Sequence, residues 1–96
     1  MVEIIWTETS LLNIDEIAEY ISQDSVFYAQ ILVDKFFKIE GKLMEHPRSG
    51  RMIPEAGYDD SLREIIEGNY RIFYEIKSEN RIEVLAVYHS ARNIVF

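Results

Sequence analysis

Leu62-Arg63-Glu64-Ile65-Ile66-Glu67-Gly68-Asn69-Tyr70-Arg71-Ile72-Phe73-Tyr74-Glu75-Ile76-Lys77 decides the fold. Gly68-Asn69 lies between two β-rich runs and marks a tight hairpin turn, because both residues tolerate the backbone such a turn demands. In the second run Tyr70, Ile72, Tyr74 and Ile76 alternate with Arg71, Phe73, Glu75 and Lys77, so the two sets point to opposite faces of a sheet. Ser78-Glu79-Asn80 turns the chain again. Arg81 to Tyr88 then reads as the last strand. Strict alternation puts Ile82, Val84, Ala86 and Tyr88 on one side, and Arg81, Glu83, Leu85, Val87 and, by continuation, His89 on the other. That parity lets Arg71 and His89 share the sheet face opposite Tyr70, Ile72 and Tyr74.

Upstream, residues 46–61 are punctuated by Pro47, Gly50, Pro54 and Gly57 and read as loop with at most a short extended piece. Before that lie two amphipathic helices. Ser10, Ile14, Ile17 and Ile21, widened by Leu11 and Ala18, make one apolar stripe, with Thr7 or Thr9 as cap. Ala29, Leu32, Phe36, Ile39 and Leu43 make a second, from about Val26 to Met44, with Ser25 as cap and Gly41 as a weak point. Pro47 ends it near Glu45. Val2 to Trp6 reads as a short strand. The order β–α–α–β–β–β predicts an α+β fold, a helical hairpin packed on a mainly antiparallel four-stranded sheet. Residues 1–96 are read as a single domain without repeat or linker.

Composition narrows the function. The 96 residues hold 17 acids and 10 bases, a net charge of −7, which argues against non-specific nucleic-acid binding through the whole surface. Every arginine falls between Arg48 and Arg92, so a local site for a phosphate or carboxylate is still open. The lack of cysteine excludes disulfides, thiolate–zinc sites and a cysteine nucleophile. His46 and His89 have no ligand spacing, so neither a metal nor a cofactor is expected. No apolar run reaches the ~18–20 residues of a membrane span. The N-terminal stretch does not read as a signal peptide, and a cytoplasmic protein is expected.

Beside the element order stand His46-Pro47-x-x-Gly50-Arg51, Pro54-Glu55, Leu62-Arg63-Glu64, Gly68-x-Tyr70-Arg71-Ile72-x-Tyr74 and Val87-x-His89-x-x-Arg92. Trp6 and Ile17-x-x-Tyr20-Ile21 fit the same pattern. Over almost its whole length the chain resembles the RelE/ParE superfamily, the toxins of type II toxin–antitoxin modules, also known as plasmid-stabilisation proteins. The resemblance implies a growth-inhibiting toxin neutralised by a cognate antitoxin protein. For the ParE branch it implies binding to DNA gyrase without chemistry. For the RelE branch it implies a ribosome-dependent endoribonuclease (an mRNA interferase) acting on translated messages. A third reading is a non-toxic partner or co-repressor of an antitoxin. The chain has no lysine cluster over residues 46–60, and Ser90 follows His89 where several nucleases carry Tyr. With the acidic charge, these features place it nearer the ParE branch.

If the chain is a nuclease, it is a metal-independent one that needs a base, a cation and an acid around one phosphate. His89 suits acid or base work near neutral pH. Arg71 and Arg63 suit the phosphate, Glu64 or Glu55 the base, and Arg92 can join from the C-terminal end. Each residue also has a structural reading. His89 can be a satisfied strand-end side chain, Arg71 can pair with Glu64 or Glu83, and Arg51 can anchor the loop through carbonyls. Arg63 and Glu64 have opposite parity, so at most one faces a given site. Tyr70, Tyr74 and Tyr88 read as core. Asn93 to Phe96 reads either as a docked tail or as an apolar edge offered to the antitoxin.

Overall fold

The computed structural model describes residues 1–96. Strand β1 (Glu3–Trp6) leads into α1 (Glu8–Ser22), α2 (Val26–Phe37) and α3 (Ile39–Glu45). Then come β2 (Arg51–Met52), a 3-10 turn (Pro54–Ala56), β3 (Leu62–Glu67), β4 (Tyr70–Ser78) and β5 (Arg81–His89). The expected caps form. The Thr7 side chain accepts from the Ser10 N–H and the Ser25 side chain from the Tyr28 N–H, each satisfying a first-turn donor.

The expected second helix is broken at Lys38, so that α3 sets off separately toward β1. Trp6 holds the bend. Its ring meets Phe37 edge-on at 4.6 Å, and its indole N–H donates to the Glu40 carboxylate. Phe36, Ile39 and Leu43 remain buried across the break. Gly41 is not the hinge.

The sheet has five strands in the order β1-β5-β4-β3-β2, one more than expected. The extra strand is the Arg51–Met52 pair, antiparallel to Glu64 and Arg63. β1 pairs parallel with β5, since the helices carry the chain across before the meander begins. The β3–β4 hairpin forms as read, with Glu67 opposite Tyr70.

The β4–β5 register overturns the strict alternation. Tyr70 pairs with His89, Ile72 with Val87 and Phe73 with Ala86, but Tyr74 pairs with Val84. Leu85 is thus the extra residue of a β-bulge, and beyond it every side chain changes face. Val84 and Val87 therefore belong to one core, with Ile72, Tyr74, Ile65, Phe36 and Leu43 under the helices. A smaller cluster forms on the other face, where Ile53, Phe73 and Ala86 are covered by Leu62, Leu85, Tyr88 and Ile94. Phe96 folds back to stack edge-on on Phe73 at 5.6 Å.

Candidate functional site: the charged face of the sheet

Directly paired residues of an antiparallel ladder share a face. The pairs Arg51–Glu64, Glu64–Phe73 and Arg71–Tyr88 therefore put Arg51, Glu64 and Arg71 together on the face away from the helices. The 3-10 turn adds Glu55 from above. Arg71 donates from Nε to Glu64 Oε1 at 2.5 Å, and from both terminal nitrogens to the Glu55 oxygens at 2.7 and 2.8 Å. Arg51 Nε reaches the other Glu64 oxygen at 2.6 Å. The result is a closed quartet of two arginines and two carboxylates. Its centre is dry, with the Glu64 side chain at 0% exposure and that of Arg71 at 8%.

The electrostatics follow the geometry. Hydrogen bonding from Arg71 is the largest cause holding the Glu55 carboxyl down, at about 2. The bonds to Glu55 and then Glu64 raise Arg71 above the ordinary arginine value, so it stays charged at any working pH. The guanidinium also lies over the Phe73 ring, 5.0 Å from its centroid. Glu64 is bridged by two arginines and Arg71 by two carboxylates. Neither keeps a free charge for a phosphate or a proton in transit.

The other expected site residues lie elsewhere. Arg63 has the opposite parity, as read, and pairs with Tyr74. Its guanidinium closes the 48–60 loop by donating to the carbonyls of Gly50, Asp60 and Arg48 at 3.0, 3.0 and 3.3 Å, and to the Asp60 carboxylate at 2.6 Å. Hydrogen bonds from Arg48 and then Arg63 lower the Asp60 pKa. Arg51 bonds Glu64 and not the loop carbonyls. Glu83 pairs with Arg81 and leaves Arg71 alone.

His89 corrects the sequence reading. Because of the Leu85 bulge it sits on the face of Tyr70, not that of Arg71, and the shared His89–Arg71 site does not exist. Its ring meets Tyr70 edge-on at 5.4 Å, and Nδ1 accepts from the Ala91 N–H at 3.0 Å. It lines a cleft of about 310 Å³ between α1 and the end of β5, with Ile17, Tyr20, Tyr70 and Arg92. Arg92 stacks over Tyr88, 4.3 Å from its centroid.

Tyr74 carries more than a core reading assigns to it. Fully buried, it accepts from the Gly50 N–H at 2.9 Å and donates to the Pro47 carbonyl at 2.8 Å. A Cβ on Gly50 would stand 2.6 Å from the Glu64 carbonyl oxygen and 2.7 Å from the Tyr74 hydroxyl, so only glycine fits. This joins the His-Pro-x-x-Gly-Arg segment to the Gly-x-Tyr-Arg-Ile-x-Tyr segment. Both motifs serve to hold the loop on the sheet.

A family model described as "ParE toxin of type II toxin-antitoxin system, parDE" matches residues 4–94. The chain belongs to the ParE toxin family. Within the RelE/ParE superfamily, that places it on the ParE-like branch. The fold of this ParE-family chain is similar to one chain of the solved structure "Chromosomal ParDE TA system from P. aeruginosa". The match has a TM-score of 0.74 and 17% sequence identity, over 93% of this chain and 96% of that one. At that identity the likeness is one of fold. No curated protein matches the chain. No helix of this ParE-family protein is long and apolar enough to cross a membrane.

Proposed function

We propose that this ParE-family protein is the toxin of a type II toxin–antitoxin module. In this reading it arrests growth in the cytoplasm by binding DNA gyrase, performs no chemistry itself, and is neutralised by a cognate antitoxin. The observation that carries the reading is the closed quartet. RNA cleavage asks for an acid, a base and an unengaged cation around one phosphate. Here Arg71 is spent on Glu55 and Glu64 and Arg63 on the loop, while His89 lies across the sheet, where the cation that shares its cleft, Arg92, is stacked on Tyr88 and no Glu64 or Glu55 carboxylate joins them. A binding surface needs no such convergence, so the arrangement favours recognition over catalysis.

The test pairs two assays. Purified protein is titrated into a gyrase supercoiling reaction, and messenger-RNA 5′ ends are mapped within minutes of inducing the chain without antitoxin. Loss of supercoiling with intact messages is the expected outcome. New ends inside translated codons, absent from a His89→Ala variant, would replace this reading with the endoribonuclease one. Normal growth on induction would leave only the role of antitoxin partner.

A further inference from the structure

We infer that the cleft between α1 and the end of β5 binds a nucleoside monophosphate. Strand pairing makes the cleft. β1 accompanies β5 only as far as Val84, so the edge of β5 beyond it is left to α1. Asn13 of α1 closes part of that edge, its Oδ1 accepting from the Val87 N–H at 3.1 Å. What remains is a hollow of about 310 Å³, at the small end of the ~300–1,000 Å³ range of ligand sites. Ile17, Val87 and the rings of Tyr20, Tyr70 and Tyr88 give it apolar and aromatic walls.

The polar groups of the cleft have capacity left. The Asn13 oxygen is taken by Val87, so its amide N–H groups are free to donate. His89 Nδ1 accepts from the Ala91 N–H, which places the ring proton on Nε2, a second donor without a partner. The Arg92 guanidinium lies over the Tyr88 ring and makes no ion pair. Glu16 makes none either, so two opposite charges line one small cleft without meeting. A ligand that meets both completes them.

The ligand follows from the walls and the charges. Aromatic faces take a flat ring by stacking. Arg92 and His89 take an anionic group, and the guanidinium fork matches a phosphate. Glu16 accepts from an amino or hydroxyl group, which a nucleoside supplies from its base or sugar and a bare phosphate does not. Charge also sets the length. The net charge is −7, and residues 1–34, which include all of α1, hold neither Lys nor Arg, so no cations continue the cleft along that wall to follow a polynucleotide backbone. One arginine and one histidine match a single phosphate.

The inference is independent of the gyrase reading, because the chain alone is enough to test it. Adenosine 5′-monophosphate is titrated into the full chain by isothermal titration calorimetry, with adenosine and inorganic phosphate as its separate parts. The nucleotide should bind saturably, and each part at least about ten-fold more weakly. Arg92→Gln should weaken the nucleotide about ten-fold and leave adenosine unchanged, because it removes only the charged donor. Tyr20→Ala, at a position 71% exposed, should weaken nucleotide and adenosine alike while thermal melting stays unchanged. No saturable binding, phosphate binding as tightly as the nucleotide, or native affinity in either folded variant would overturn the inference.

Discussion

Replacing Arg71 with Met removes the cation that Glu64 holds at 2.5 Å, in a site where the carboxylate has no exposure. Arg51, whose side chain is 62% exposed, becomes its sole partner. Breaking a buried pair from one side costs about 3–5 kcal/mol when the remaining charge is left unpaired out of water, and Arg51, still bonded to Glu64, puts this variant at the lower end of that range. A domain of this length has about 5–15 kcal/mol in total, so the single variant stands near the edge of folding. At about 4–8 °C per kcal/mol, its melting midpoint should fall by at least ~12 °C. The double variant Arg71→Met with Glu64→Leu removes both charges, and should return to within about 2 kcal/mol of the native protein. Circular dichroism during urea and thermal unfolding reads both. A single variant within ~1 kcal/mol of native, or a double variant no more stable than the single, would show that the quartet does not hold the sheet face as described. Growth inhibition by the double variant gives the functional half. If the quartet is purely structural, toxicity returns with stability. Stability restored without toxicity would assign Arg71 or Glu64 a direct role.

Further outcomes follow from single groups. Tyr74→Phe removes the hydroxyl that bridges Pro47 and Gly50, leaving a buried N–H without its acceptor. The loss should be about 1–3 kcal/mol in urea unfolding, with the 46–50 loop exchanging its amide hydrogens faster. Gly41→Ala should stabilise by about 0.5–1 kcal/mol, since the added Cβ meets nothing within 4 Å and a helical glycine is entropically costly. Glu55 is held down from 4.5 to about 2. Its folded pKa lies below the unfolded one, so its contribution is present above the unfolded value and is lost as pH falls from the ordinary carboxylate range toward 2. Because its side chain is partly exposed, salt screening reduces the effect. A Glu55→Gln protein should lack that acid-side step when melting midpoints are followed against pH.

The sheet face shows where reading from sequence stops. Arg71 and Glu64 were visible as a cross-strand possibility, because they flank a recognisable turn at Gly68-Asn69. Arg71's second partner was not. Glu55 lies 16 residues away in a turn whose path depends on Tyr74 holding Pro47 and Gly50. The hint was the joint presence of the His-Pro-x-x-Gly-Arg, Pro-Glu and Gly-x-Tyr-Arg-Ile-x-Tyr motifs, and nothing in their spacing says that one anchors the other. Residues 46–61 allowed a short extended piece, but its place as a fifth strand was not legible, since Arg51–Met52 is a strand only because β3 offers it an edge.

Local chemistry was enough for the order of the main strands and of the helical region, though not for the break at Lys38 or for β2, and for the Thr7 and Ser25 caps, the hairpin and the apolar stripes. Each of these depends on side chains within a few residues of one another. Family membership was also readable, because motif spacing is a property of the chain itself. The side on which His89 stands was decided only by tertiary structure. Strand parity has a period of two, so one extra residue at Leu85 reverses it, and the bulge forms because Tyr74 pairs with Val84 while Phe73 pairs with Ala86. That choice belongs to the packing of two strands against the helices, and no single strand records it.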